Sequence, residues 1–283
     1  MVYLLLAILC SSIISIVMKL SKNFIKNKMM MFVTNYIVCT ICSLFFIGNI
    51  DMIEKSEFVF PIWFGIITGF GYLGCFLLLE LNIRKNGVVL SSTFSKLGLL
   101  VPIFISIVFY HEIPSVVKII GIILAIVAII LMNIEFKKKD INNKAFNIMN
   151  LLLILLLLFG GLTDASTTIF EHNSNFGLKG LFLTMIFSSA LVLSLVILLI
   201  KHQSISYKDI LFGIFIGIPN YFSSFFLLNA LKSIDAIIVY PTYSVSTIVI
   251  ITLVGVLFFK EKLKINEIIG MSIIIASIIL LNI

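Results

Sequence analysis

Asp164 is the residue whose chemistry is hardest to reconcile with its surroundings. It follows the run LLLILLLLFGGLT, and Thr167 and Thr168 stand one turn beyond it. A carboxyl in so apolar a stretch must be held protonated, hydrated in a cavity, or matched by a cationic group. Two readings stay open at this point: a protonated Asp bonded to a neighbouring helix, or a cavity carboxylate that binds an amine or couples a proton. Lys96 is the second intrusive charge, and its ammonium asks for a partner, Glu80 or a substrate carboxylate, or for snorkelling to the headgroups. Ser92 and Lys96 stand four apart and could formally be a nucleophile and its base, but no supporting motif accompanies them. His111, His172 and His202 are far apart in sequence and make no metal-ligand cluster. Cys39 and Cys42 form a CxxC inside an apolar run, with no second pair to complete a zinc site, so they read as small packing residues. No catalytic residue, cofactor or metal is therefore expected.

Hydroxyls recur at helical spacing. Ser11, Ser15 and Lys19 share one face, as do Asp164, Thr168 and Glu171, then Tyr240, Tyr243, Ser244 and Thr247, then Ser91, Ser95, Gly98 and Pro102. Such stripes suit a wet cavity, although any single hydroxyl can bond its own helix instead. Pro219 removes a backbone donor and frees a carbonyl beside Asn220 and Tyr221; Asn35 and Tyr36 form a similar pair, read as packing. The cavity candidates are Ser11, Ser15, Tyr72, Ser95, Lys96, Asp164, Thr168, Asn220, Tyr243 and Ser244. Two glycine pairs, Gly65 with Gly69 and Gly213 with Gly217, carry the one-turn spacing that lets helices approach closely in lipid.

These residues must be positioned by membrane helices. The 283 residues are 61% hydrophobic and 12% charged, with a mean hydropathy of +1.22, and the charges cluster between long apolar runs. A hydrocarbon core about 30 Å thick takes about 20 apolar residues per helix. Ten spans fit: 2–20, 30–49, 59–82, 87–110, 115–134, 148–170, 178–200, 208–231, 235–259 and 264–283. The first span runs straight into Lys19 and Lys22 without a basic leader, so it is expected to be retained. Asp164 falls about sixteen residues into its span, near 24 Å from the face where that helix enters. The net charge of +7 is scattered over short loops with no interleaved aromatic motif, which argues against a nucleic-acid partner.

An internal comparison divides the chain. Setting Glu112 against Glu261 also aligns Thr93 with Thr242, Ser95 with Ser244, Tyr72 with Tyr221, Gly121 with Gly270 and Asn133 with Asn282. The matches point to a duplication, with halves 1–139 and 140–283 meeting in the polar segment EFKKKDINNK. Five spans per half is odd, so the second copy is expected to enter from the opposite face, an inverted repeat. Such repeats place a site near the midplane between halves that take turns opening it to either side.

The end of each half, LLLELNIRKNGVVLSSTFSKLGLLVPIFISIVFYHEIPSVVKIIGIILAIVAIILMNI and LLNALKSIDAIIVYPTYSVSTIVIITLVGVLFFKEKLKINEIIGMSIIIASIILLNI, resembles the drug/metabolite transporter superfamily, specifically its ten-helix EamA-type members. That family typically carries Gly-Glu in the last turn, where this chain has His111-Glu112 and Lys260-Glu261. The resemblance implies an all-α, multi-pass protein of the cell membrane, expected as a monomer, that carries a small-molecule substrate such as an amino acid, sugar or drug-like compound. The rival readings are a non-transporting assembly or lipid-handling protein and a membrane-embedded enzyme. Lysines gather in the odd connectors, leaving Lys55, Lys118, Lys179 and Lys232 to the even ones. The positive-inside rule then puts both termini outside, whereas family analogy puts them inside.

Overall fold

The computed structural model describes residues 1–21, 24–47, 54–86, 94–95, 97–133, 143–201, 204–259 and 265–281. Among them are ten α-helices: α1 (Val2–Ser21), α2 (Lys28–Phe45), α3 (Val59–Asn86), α4 (Leu100–Phe109), α5 (Val116–Asn133), α6 (Asn143–Asn173), α7 (Lys179–Lys201), α8 (Tyr207–Leu231), α9 (Ala236–Phe259) and α10 (Ile265–Leu281). Seven are long and apolar enough to cross a bilayer; α4, α5 and α10 contain shorter apolar stretches. Only α4 falls far short of its predicted span, 87–110, because residues 87–93 and 96 lie outside the described ones.

The chain divides into two compact units, Met1–Leu73 with Ile169–Ser233, and Gly74–Thr168 with Ile234–Ile283. Each draws helices from both halves of the sequence. In the first unit α8 lies against α1 and α2, and α2 also against α7. The glycine pairs explain how the backbones come so close. A Cβ on Gly213 would meet the carbonyl of Met31 at 2.7 Å, and one on Gly217 the carbonyl of Asn35 at 2.8 Å. Gly65 and Gly69 perform the same role between α3 and α7, where Ser189 donates to the Ile66 carbonyl at 3.2 Å. Cys39 is buried on the α2 face turned to α8, its thiol donating to the Gly217 carbonyl at 3.2 Å. Ser206 and Asp209 box the start of α8. Asp209, fully buried, also accepts from the Lys26 amide at 2.8 Å and so fastens the α1–α2 connector.

In the second unit α5 runs along α10, where Ser277 donates to the Gly121 carbonyl at 2.8 Å, and α9 touches α4, α5 and α10. Asn82 on α3 is buried and donates to the Leu152 carbonyl of α6 at 2.9 Å. Gly98 and Gly161 meet backbone to backbone, a Cβ on Gly98 lying 3.0 Å from the Gly161 nitrogen. That approach brings the turn before α4 against α6 and sets Ser95 beside the polar stretch of α6.

The connector from α4 to α5 shows why its motif has the form it does. Glu112 accepts from the amides of Ala236 and Ile237, both at 3.1 Å, satisfying two of the unpaired donors that open α9. A carboxylate there also faces the positive end of the helix dipole. His111 precedes it at φ 55°, in the left-handed region that glycine adopts without cost. The matching segment around Glu261 lies outside the described residues.

Candidate functional site

A polar cavity of about 140 Å³ lies inside the second unit, lined by Cys75 of α3, Ser95 of the turn before α4, Gly160, Thr163 and Asp164 of α6, and Tyr243 and Ser244 of α9. Four residues nominated by the sequence, Ser95, Asp164, Tyr243 and Ser244, thus come together from three separate segments. Asp164 is half-buried and Ser244 buried. α6 runs from Asn143 to Asn173, so Asp164 stands nine residues, about 14 Å at 1.5 Å per residue, before its C-terminal end.

Space at the cavity comes from Gly160, where a Cβ would sit 3.5 Å from the Cys75 sulfur and 3.9 Å from the Ser95 carbonyl. The volume matches the apolar cavity of about 150 Å³ that admits benzene. Here hydroxyls and a carboxyl replace the apolar wall, so the space suits several waters or one small polar group.

Behind the cavity the backbone is fixed by Tyr240. Its buried hydroxyl donates to the Asp164 carbonyl at 2.6 Å and lies 2.7 Å from the Thr167 hydroxyl and 2.9 Å from that of Thr168. Thr168, expected in the cavity, is instead buried in this cluster and does not line the space. Much of the hydroxyl pattern resolves into bonds within one helix. Thr163, Ser166 and Thr167 donate to carbonyls three residues back, and Ser12, Ser15 and Thr247 to carbonyls four back.

The other candidates belong to the first unit or fall outside the description. Ser11 is buried on α1, and its carbonyl accepts from Ser15 at 3.3 Å. Tyr72 lies 3.4 Å from the Ser224 hydroxyl, and Asn220 donates to Asn35 at 3.1 Å, bonding α8 to α2. Lys96 and the side chain of Glu80 lie outside the described residues, and with them the proposed pair. Cys75, Gly160 and Thr163 were missed. Gly160, Thr163 and Asp164 share an i, i+3, i+4 face that was readable in the sequence. Cys75 carries no such signal, since a thiol in an apolar helix looks like packing.

Ten helices among the described residues, packed within two compact units and seven of them long and apolar enough to cross a bilayer, define a polytopic membrane protein. The chain belongs to the EamA-like transporter family, whose model matches residues 1–134 and 147–283. It is similar to an uncharacterised protein of Haemophilus influenzae, 27% identical over 276 residues that cover 92% of this chain and 90% of that one. It is also similar to the uncharacterised membrane protein YvaE of Bacillus subtilis, 45% identical over 60 residues, 21% of this chain and 50% of that one. A solved crystal structure shares the fold at a TM-score of 0.77 and 12% identity, covering 99% of this chain and 94% of the other.

Proposed function

We propose that this protein is a secondary carrier that moves a small polar metabolite across the membrane by alternating access, and that the cavity around Asp164 is its substrate site. The observation that carries this reading is the convergence of Asp164 with Ser95, Tyr243 and Ser244 on one space inside a membrane-embedded unit. A carboxyl costs several kcal/mol at such depth unless something compensates it. A cavity that admits water, a proton or the amine of a cargo supplies that compensation in a way that transport can use. The family match in two stretches, 1–134 and 147–283, supports halves related by duplication. With five helices each, such halves are inverted, the arrangement that lets one site open to either side.

The roles follow from the chemistry. Asp164 binds an ammonium group or carries the coupled proton, while the hydroxyls of Ser95, Tyr243 and Ser244 orient the rest of the cargo. The test uses purified protein in sealed liposomes, screened for uptake of amino acids, sugars and aromatic metabolites. A variant with Cys10, Cys39 and Cys42 replaced by alanine leaves Cys75 as the reporter of the cavity. A transported compound should slow labelling of Cys75 by a small methanethiosulfonate. Asp164→Asn should lower its transport rate at least tenfold and flatten the pH dependence. Unchanged rate and pH dependence at equal membrane abundance would remove Asp164 from the mechanism.

A further inference from the structure

Two adjacent glycines of α6, Gly160 and Gly161, have different neighbours. A Cβ on Gly161 would run into Val101 and stand 2.5 Å from the Gly98 carbonyl oxygen, so helix packing requires that glycine. Among the described residues, a Cβ on Gly160 would meet only the Cys75 sulfur at 3.5 Å and the Ser95 carbonyl oxygen at 3.9 Å, both ordinary van der Waals contacts. Alanine therefore fits at position 160, and it favours a helix interior over glycine. What its methyl group would remove is room in the cavity, which Gly160, Cys75 and Ser95 all line. A methyl group takes up about as much space as one water, ~30 Å³, against about 140 Å³ for the whole cavity.

The lining suits a hydrogen-bond donor. Thr163 donates to the Gly160 carbonyl at 2.7 Å, which leaves its oxygen able only to accept a further bond. Among the described residues of the lining, Asp164 is the one carboxyl and Tyr243 the one aromatic ring. A primary ammonium brings three N–H donors to such a set. A quaternary ammonium brings none and is held instead by a cage of aromatic rings, which a single tyrosine does not make. By comparison with benzene in a cavity of about 150 Å³, the space holds a group of about six non-hydrogen atoms.

We propose that the bare Cα of Gly160 fixes the size of the group that reaches Asp164, so that the cavity takes a compact primary ammonium and turns away bulkier amines. This rests on the reading of the cavity as the substrate site and names what that site accepts. Stability alone favours alanine at position 160, whereas cargo capacity favours glycine.

The test labels Cys75 in full-length protein in detergent at pH 7, with Cys10, Cys39 and Cys42 replaced by alanine. Ethyl, aminoethyl and trimethylammonioethyl methanethiosulfonate are compared by mass spectrometry, each rate divided by that with a free thiol in solution. The aminoethyl reagent should outpace the ethyl one, and Asp164→Asn should abolish that advantage. Gly160→Ala should raise the ratio of aminoethyl to trimethylammonioethyl rates about tenfold or more, as one methyl group does in a close-fitting pocket. Its melting temperature should equal or exceed that of the parent. Gly160→Ser, which adds bulk of another polarity, should raise the ratio as well. An unchanged ratio in both Gly160 variants overturns the size role, and equal ethyl and aminoethyl rates in the parent overturn the ammonium. Labelling needs neither cargo nor turnover, so these outcomes are distinct from a failure of liposomes to take up any compound, which bears on the carrier reading alone.

Discussion

Single residues carry unequal burdens in this protein, and His111 shows a cost that sequence comparison can remove. Its φ of 55° is left-handed, a conformation that costs an L-residue about 1–2 kcal/mol. The family resemblance places glycine at this position. His111→Gly should therefore raise thermal stability by about 0.5 kcal/mol, after the extra freedom of glycine in the unfolded chain is subtracted. The check is a melting curve in one detergent, and a lowered midpoint would mean that the imidazole contributes more than the backbone loses. Tyr240 bears the opposite burden. Tyr240→Phe removes the donor to the Asp164 carbonyl and a partner from the buried Thr168. It should cost about 1–3 kcal/mol, read as a lower melting temperature with the ring packing retained. Asp164 and Lys96 stood out in the sequence because charge in an apolar run is conspicuous. Tyr240 shared a visible stripe with Tyr243, but its partners are seventy residues away and only the fold reveals them.

Helices pair in this structure through contacts that are small and specific. Added side chains at Gly69 and Gly217 would run into Ser189 and the Ile186 carbonyl, and into Val38 and the Asn35 carbonyl. Gly69→Val and Gly217→Val should each force helices apart and abolish accumulation of folded protein in the membrane. Gly74→Ala is the contrast, because its new Cβ meets only ring atoms of Phe159 at 3.6 and 3.7 Å; it should accumulate normally. Equal behaviour of all three variants, measured by fluorescence-detected size exclusion, would deny that glycine sets these approaches. Helix existence was legible from hydropathy at nearly every span, because about 20 consecutive apolar residues leave the backbone no other way to satisfy its hydrogen bonds in lipid. The role of the glycine pairs was legible too, but not which helices they join.

For the whole molecule, the compact units and the sequence halves cut across each other. α1 lies on α8, α2 on α7 and α8, and α5 on α10, so helices of segment 1–139 find major partners in 140–283. Segment 1–139 expressed alone should be degraded, whereas co-expression with 140–283 should restore a complex that co-purifies. A stable, monodisperse fragment 1–139 would show that its five helices suffice for each other. The sequence by itself determined the membrane solvent, the existence of the helices, and most of the polar residues that gather at the cavity. All of these are written in local composition and periodicity. Tertiary structure alone decided that Ser95, Asp164, Tyr243 and Ser244 converge while Thr168 turns into a buried cluster, and that Glu112 caps a helix more than a hundred residues away. The physical reason is that a helical stripe fixes which residues share a face but not what that face meets. Only close approach, granted by glycine at some contacts and fixed by single hydrogen bonds at others, selects the partner.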